Sequence, residues 1–205
     1  HMSKSKYVIT VNRQFGSMGR PIAKLLAEKL QIGYYDRDLI DEAAKELGLP
    51  ASVVDKAEEK ADSRVFIPFR NMAYPLGRGE EQMQEKIFEA QEKLIRFLSE
   101  NETCVIVGRC SDYVLADRPD SIHIYIYAPF KDRLKNSIED LKIPEKEARR
   151  MIKEVDEARD NYQMRYAGYH AYDPMYKDLM INSSLYGVEG TADFLADAVR
   201  RKFGE

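Results

Sequence analysis

The sequence contains no tryptophan, two cysteines and three histidines in 205 residues. Cys104 and Cys110 have neither the spacing of a zinc site nor the number that a disulfide framework needs, so they predict free thiols in a reducing compartment. With so few histidines, no Ser-His-Asp or Cys-His arrangement stands out. Hydrolase chemistry of that kind therefore has little support.

Long apolar runs and an excess of charge of one sign are missing as well. No apolar run approaches the roughly 20 residues of a membrane span, and no signal peptide precedes the first predicted strand. The 32 basic and 35 acidic residues give a formal net charge of -3, which disfavours nucleic-acid binding through bulk electrostatics. We therefore expect a cytoplasmic protein with no membrane or nucleic-acid partner, in which local basic clusters could bind a small anion.

The chain does have the composition and pattern of a single α/β domain. It is 44% hydrophobic and 33% charged, as expected for a globular protein. Short β-branched or apolar runs predict strands at residues 6–11, 32–36, 103–108, 121–128 and 177–184. Segments with helical periodicity separate these runs, and this alternation predicts a parallel sheet of about five strands with helices on both faces.

One segment, residues 62–79, does not fit this alternation. Its sequence, DSRVFIPFRNMAYPLGRG, combines prolines, late glycines, arginines and aromatics without periodicity. It predicts a loop that is too aromatic for a simple linker. The loop could belong to a binding site or to a homodimer contact.

The first predicted strand leads into a glycine turn and a helix, in the sequence RQFGSMGRPIAKLLAEKL of residues 13–30. Unpaired N–H groups and the dipole at a helix N-terminus favour anions, and glycines allow an oxyanion to approach closely. We predict a phosphate-binding turn formed by Arg13, Gly16, Ser17, Met18, Gly19, Arg20 and Pro21. The alternative is an ordinary strand-to-helix turn.

The turn lacks the lysine and the following serine or threonine of a Walker A motif. Gly19 is followed by Arg20 and Pro21. A guanidinium can replace an ammonium as a phosphate partner, so Arg20 or Arg13 could supply the missing charge. The lost residues weaken the usual lysine contact with the β/γ-phosphates and the hydroxyl contact with Mg²⁺.

Further charged residues are expected near the same edge of the sheet. Arg109 follows the buried strand 103–108, where it either reaches solvent or contacts a ligand in the crevice. Asp156 and Arg159 share one face of a predicted helix, either as an ion pair or as ligand contacts. The predicted helical pair of residues 130–141 and 144–166 carries Arg133, Arg149 and Arg150. These three arginines could close over a polyphosphate, or they could form a solvated charged face.

An aromatic stretch follows these helices. Tyr162, Tyr166, Tyr169, His170 and Tyr172 lie within YQMRYAGYHAYDPMY. They could stack on a base or pack as a lid. Core filling by the two tyrosines on the helix is the alternative.

The order of these motifs resembles the cytidylate kinase-like family, relatives of bacterial cytidylate kinase among the P-loop nucleoside monophosphate kinases. The matching segments are ITVNRQFGSMGRPIAKLLAEKL, YYDRDLI, VIVGRCSDYVL, IYIYAPFKDRL, VDEARDNY and DPMYKDLMINSS, which cover nearly the whole chain. The phosphate turn departs from cytidylate kinase itself. Its G-S-x-G-R form is similar to that of this particular branch.

The resemblance implies a P-loop NTPase-like three-layer α/β/α domain over residues 3–205. A helical acceptor-binding insert would occupy about 50–100, and a lid region about 131–172. Asp36 matches the acidic residue that opens the monophosphate-binding region, and Arg109 matches the arginine that grips the acceptor monophosphate. Asp156 and Arg159 match the pair that contacts the acceptor's sugar and base. Arg133 matches an arginine leading into the lid.

The resemblance also implies an ATP-dependent phosphotransferase. We expect the γ-phosphoryl of ATP to pass to a small nucleotide acceptor such as CMP or dCMP. Arg20, Arg133, Arg149 and Arg150 would be the catalytic cations. Mg²⁺ would sit on the nucleotide, with Ser17 or Asp36 as helpers. The alternative is a nucleotide-binding sensor without turnover, because the Walker A lysine is absent.

Overall fold

A computed structural model describes residues 5–46, 48 and 78–204 of the chain. Its five strands form one all-parallel sheet in the order β2-β3-β1-β4-β5. The strands are β1 (Val8–Arg13), β2 (Gly33–Tyr35), β3 (Cys104–Val107), β4 (Ser121–Tyr127) and β5 (Leu179–Asn182). This confirms the predicted parallel α/β sheet.

Helices connect the strands. They are α1 (Gly19–Leu30), α2 (Arg37–Glu46), α3 (Arg78–Asn101), α4 (Ser111–Val114), α5 (Phe130–Glu139), α6 (Glu145–Ala167) and α7 (Gly187–Phe203). A 3-10 turn, Pro174–Tyr176, precedes β5. In the parts of the chain that the structure describes, no helix is both long and apolar enough to cross a membrane.

Both faces of the sheet are buried because successive side chains of a strand point to opposite faces. Ile9 of β1 packs in a core that includes Leu26 of α1 and Leu195 of α7. Its neighbour Val8 packs in a second core with residues of α2 and α3, among them Leu94. The continuous apolar sequence of β3 reflects this double burial, since all four of its residues are buried.

The element boundaries differ from the predicted ones by a few residues. Helix α2 ends at Glu46, and Gly48 follows with φ 68° and donates its N–H to the Lys45 carbonyl, which is typical of a glycine that ends a helix. Helix α3 begins at Arg78, so the last two residues of the predicted loop 62–79 are helical. The rest of that loop, and most of the predicted acceptor insert, lies outside the described residues. The domain limits 50–100 and 131–172 stay predictions.

Candidate active site

The glycine turn lies where β1 ends, at the edge that also holds the carboxyl ends of β3, β4 and β5. Gly16 has φ 77° and Met18, the N-cap of α1, has φ 64°, so the chain reverses tightly before the helix. The first intrahelical bond runs from Ile22 N–H to the Met18 carbonyl. The N–H groups of Gly19 and Arg20 precede that bond, at the position where helix N-termini bind anions.

The turn is held on its outer side by helices α5 and α6. Asp156 of α6 accepts the Phe15 N–H through Oδ1 at 2.7 Å and an ion pair from Arg133 Nη1 through Oδ2 at 2.8 Å. Asn136 of α5 donates to the Gly16 carbonyl at 2.9 Å. A Cβ on Gly16 would lie 2.6 Å from the Arg133 carbonyl oxygen. Arg133 and Asp156 therefore both help to fix the turn.

Ser17 and Pro21 complete the turn in different ways. Ser17 is fully buried, and its hydroxyl donates to the Gln14 carbonyl at 2.7 Å. Its own carbonyl accepts from the Ser183 hydroxyl at 2.6 Å, which ties the end of β5 to the turn. Pro21 is exposed in the first turn of α1, where its missing N–H costs nothing.

A second tight turn follows β3. Gly108, Arg109 and Cys110 all have left-handed φ values, 69°, 57° and 52°. Two of these residues are not glycine, and such residues adopt this conformation at a cost. The turn directs Arg109, which is 8% exposed, back into the interior at the carboxyl edge of the sheet.

A buried polar network supports this second turn. Asp112 pairs with Lys177 at 2.5 Å, both side chains being 1% exposed. It also accepts hydrogen bonds from Tyr169 Oη at 2.8 Å and Gln163 Nε2 at 3.1 Å. Burial alone would raise the pKa of Asp112, but Lys177 and the hydrogen bonds outweigh burial and lower it. The network joins α4, the end of α6 and the segment before β5.

A cavity of about 140 Å³ lies between the two turns, at the ends of β1, β3 and β4. Its lining includes six charged residues: Arg13, Arg37, Arg109, Arg159, Asp156 and Asp160. The structure thus brings together four of the predicted residues, Arg13, Arg109, Asp156 and Arg159.

The arginines of this cavity are close enough to repel one another. Burial, and then repulsion from three neighbouring arginines, lowers the pKa of Arg13. Burial also lowers the pKa of Arg159 to about 10. Buried Arg13 Nε and Arg109 Nη2 have no hydrogen-bond partner, and no described carboxylate forms an ion pair with either side chain. An anion in the cavity would relieve this excess of positive charge.

Arg20 lies at the other side of the turn and is already neutralised. Its Nη2 atom pairs with Asp36 at 2.7 Å and with Asp38 at 3.1 Å. These carboxylates raise the pKa of Arg20 although burial acts in the opposite direction. Asp36 in turn caps α2 through the Leu39 N–H and accepts from Tyr34 Oη.

Arg149 and Arg150 are not brought into this group. Both lie on the exposed side of α6 and pair with acids of the same helix: Arg149 with Glu145, and Arg150 with Glu147 and Glu154. Neither residue lines the cavity. Their catalytic role stays a prediction that depends on motion of α6.

Some residues of the aromatic stretch pack in the core, and others line the cavity. Tyr166 stacks on Phe88 of α3 at 4.1 Å between ring centroids, which is core packing. Tyr162 also contacts Phe88, lines the cavity and lies under the Arg109 guanidinium at 5.7 Å. Tyr172 lines the cavity too and stacks on His170. Aromatic surface is therefore available beside the cationic cavity.

Sequence reasoning missed several lining residues. Arg37, Gln14 and Tyr125 each lie within one or two residues of a strand end or inside a strand. Gln14 and Arg37 could have been predicted as lining residues, because both closely follow the end of a strand. Asp160, which accepts from His170 at 2.9 Å, lies next to the predicted Arg159 but carried no motif signal.

Solved structures of other proteins share this fold. The shikimate kinase from Bacteroides thetaiotaomicron aligns over 96% of this chain and 99% of its own, with a TM-score of 0.55 and 12% identity. The fold is therefore that of P-loop kinases. An uncharacterised protein from Eubacterium ventriosum is more similar, with a TM-score of 0.69 and 26% identity over 98% of this chain and 99% of its own.

The amino-acid sequence matches one particular family, which is a more specific relationship than a shared fold. The model of the cytidylate kinase-like family matches residues 8–185. The chain belongs to that family, as the motif order predicted. No curated protein matches the sequence. Family membership supports a nucleotide or small-molecule kinase as the general class.

Proposed function

We propose that the protein transfers the γ-phosphoryl group of ATP to a small anionic acceptor, with the nucleoside monophosphates CMP and dCMP as the first candidates. The observation that carries this proposal is the convergence of Arg13, Arg109 and Arg159 on one cavity at the strand ends. Phosphoryl transfer depends mainly on positioning and charge neutralisation. A cluster of guanidinium groups beside a phosphate-binding turn supplies both.

The donor phosphates would bind at the glycine turn. The N–H groups at the start of α1 and the helix dipole favour the β- and γ-phosphates there. Gly16 and Gly19 let the turn close tightly, because the Arg133 carbonyl and the Arg13 stem occupy the space that a side chain would need. Arg20 flanks the same helix end and would contact the donor if its pairing with Asp36 and Asp38 rearranged.

The acceptor would bind in the cavity. Arg109 and Arg159 would hold its anionic group, because guanidinium forks bind phosphate in a bidentate manner. Asp156 and Asp160 face the same space and could accept hydrogen bonds from a sugar or base. Tyr172, which is half exposed at the cavity, offers a face for stacking.

In the reaction itself, an acceptor oxygen would form a bond to the γ-phosphorus while the bond to the β,γ-bridging oxygen breaks. The electron pair of that bond leaves with ADP, and any proton of the acceptor oxygen is lost to solvent or a carboxylate. The arginines would stabilise charge on the transferring group. The α5–α6 pair would exclude water as the lid, the role predicted for residues 131–172.

The residues of the turn fit a polyphosphate better than they fit a metal ion. The Ser17 hydroxyl donates to Gln14, and Asp36 is engaged by Arg20, Tyr34 and Leu39. Neither side chain fits as a direct Mg²⁺ ligand. No group of three His, Cys, Asp or Glu residues in the described ranges could hold a metal. The Mg²⁺ that the family implies would be held mainly by nucleotide oxygens and water, where it neutralises phosphate charge.

A second candidate is a nucleotide sensor without turnover. It is favoured by one observation, the pairing of Arg20 with two carboxylates in a turn that has no lysine. Such a protein would bind nucleotide through the same N–H groups and the same cavity. At the position of the Walker A lysine, it would have no available cation to contact the phosphoryl group during transfer.

A coupled ADP-release assay separates the two candidates. ATP and Mg²⁺ would be tested against a panel of ribo- and deoxyribonucleoside monophosphates, with Arg109→Ala as the site variant. ADP formation that depends on an acceptor and is reduced in the variant at low acceptor concentration supports the kinase. Nucleotide binding by calorimetry without turnover supports the sensor. A protein that shows no turnover and binds no nucleotide would overturn both the kinase and the sensor.

A further inference from the structure

The side chain of Arg13 passes between the two turns of the site. A Cβ placed on Gly19 would lie 2.4 Å from Arg13 Cβ and 2.8 Å from Cγ. A Cβ placed on Gly108 would lie 3.0 Å from Arg13 Nη1. The stem of Arg13 therefore packs on the first residue of α1, and its guanidinium lies at the turn that carries Arg109. Any side chain at Gly19 or Gly108 would compete for this space.

We propose that Arg13 is the catalytic cation that bridges donor and acceptor, in place of the missing Walker A lysine. The inference rests on the proposed kinase function and deepens it. Gly19 opens the helix end that would hold the donor phosphates, and Gly108 precedes Arg109, which would hold the acceptor. A guanidinium between them would contact the phosphoryl group during transfer.

Arg13 suits this role better than Arg20, the other cation of the turn. Arg20 has two carboxylate partners and a side chain that is 42% exposed. Arg13 has a buried Nε without a hydrogen-bond partner, and no described carboxylate neutralises it. Its neighbours are the cations Arg159 and Arg109. A half-buried cation with an unpartnered donor among other cations is costly without an anion, and a triphosphate would supply one.

The backbone around Arg13 is held in place. Its carbonyl accepts from Arg159 Nη1 at 3.2 Å, and its residue pairs in register with Ile126 of β4. A side chain anchored at a strand end and packed on two glycines has little freedom to move away. This preorganisation is what makes a charged group effective at a developing charge.

During the step, the acceptor oxygen forms its bond to the γ-phosphorus as the bond to the β,γ-bridging oxygen breaks. Negative charge accumulates on that bridging oxygen, which becomes the terminal oxygen of the ADP β-phosphate. Arg13 would donate hydrogen bonds to the bridging oxygen and to an equatorial γ-oxygen. It would gain and lose no proton, because guanidinium stays charged.

The test compares Arg13→Gln and Arg13→Lys with the matched control Arg96→Gln, an exposed arginine of α3 that pairs with Glu92. In the coupled assay we expect Arg13→Gln to lower kcat by about 10²–10³-fold, the usual cost of one preorganised donor. Arg13→Lys should restore part of that loss by keeping the charge. Arg96→Gln should leave kcat and KM unchanged. Wild-type kcat in a folded Arg13→Gln variant would overturn the proposal.

A binding measurement covers the case in which wild type shows no turnover. Calorimetry would compare ATP with ADP on wild type and Arg13→Gln. If Arg13 contacts the γ-phosphate, the preference for ATP should fall about tenfold or more in the variant, as expected for a lost charge-assisted hydrogen bond. If the preference falls in this way and the wild type shows no turnover, the kinase function is excluded but the contact between Arg13 and the γ-phosphate is supported. An unchanged preference, or a wild type that binds neither nucleotide, overturns the proposal about Arg13.

Gly19→Ala gives an independent check, because its Cβ would push against the Arg13 stem. We expect a lower kcat in the wild-type background and little further loss in the Arg13→Gln background. Such non-additivity identifies two residues that act on one contact. Equal losses in both backgrounds would mean that Gly19 acts without Arg13, which contradicts the packing argument. Thermal unfolding of each variant would establish that it is folded.

Discussion

The backbone N–H of Phe15 donates a 2.7 Å hydrogen bond to Asp156 Oδ1, across 141 residues of the chain. The other oxygen of the same carboxylate pairs with Arg133 at 2.8 Å. One carboxylate therefore connects the glycine turn to both α5 and α6. The resemblance to cytidylate kinase assigns Asp156 to substrate contact, and the structure adds a role in holding the turn.

Asp156→Ala should destabilise the fold by about 1–3 kcal/mol, because the Phe15 N–H and the Arg133 guanidinium both lose the carboxylate that they share. Arg133 is only 11% exposed, so water replaces the lost charge poorly. Urea unfolding monitored by circular dichroism would measure the change. Glu157→Gln, at an exposed position of the same helix, is the control. Equal stability of the two variants would show that the ion pair contributes nothing.

Arg109→Ala should raise the acceptor KM at least about tenfold, since a hydrogen bond from a buried guanidinium to an anion contributes about 1.5–3 kcal/mol. Arg109→Lys should recover only part of this, because lysine lacks the bidentate fork. Steady-state kinetics with the best acceptor of the panel would measure both. Arg200→Gln on α7, with an exposed side chain, provides the comparison. A larger effect on the ATP KM than on the acceptor KM would move Arg109 to the donor side.

The buried pair of Asp112 and Lys177 should make stability depend on pH. The lowered pKa of Asp112 means that its carboxylate stabilises the fold at pH values above the ordinary aspartate pKa of about 4. This contribution is lost as the pH falls through the lowered folded value. At neutral pH we expect Asp112→Asn to cost about 3 kcal/mol, because it leaves the Lys177 ammonium buried without its counter-charge.

The pH dependence is measured by urea unfolding of wild type and Asp112→Asn from pH 7 down to the acid transition. The difference between the two proteins should shrink below about pH 4. Asp117→Asn, at an exposed position, should follow wild type throughout. A difference that stays constant with pH would mean that the Asp112 charge is not what stabilises the pair.

Both thiols should be unreactive in the folded protein. Cys104 and Cys110 are free and buried. Burial raises the pKa of Cys104 to about 12 and also raises that of Cys110. Because the thiolate is the reactive form, a chromogenic disulfide reagent at pH 8 should titrate no thiol until denaturant is added and then both. Rapid reaction of one thiol in the native protein would show that its element opens locally.

Sequence patterns predicted the fold because burial on both faces leaves a strong signature. The apolar sequence of β3 and the helical spacing of Ile22 and Leu26 in α1 need no knowledge of distant contacts. The same patterns placed Arg13 and Arg109 at strand ends, where the parallel sheet brings them together. The order of the strands was not predicted, because it depends on pairing between segments that are far apart in the sequence.

Other parts of the site depend on contacts that sequence spacing does not encode. Lys177 and Asp112 are 65 residues apart and meet only because α4 and the segment before β5 pack together. Arg149 and Arg150 look like lid cations in sequence, but acids three and four residues away neutralise them on the helix surface. The suspected homodimer contact falls outside the described residues and stays a prediction. Sedimentation would test it.

The strand order also has a consequence for how the protein is made. Of the described strands, β1 and β2 leave the ribosome first, yet they are not neighbours in the sheet. Tyr7, just before β1, donates its N–H to Thr103, 96 residues further along, and β1 pairs with β3 and β4 on its two sides. The central strand therefore has no described sheet partner until about half of the chain has been translated. During that interval its apolar side chains and its unpaired backbone edges are the surface that a nascent-chain chaperone would have to cover.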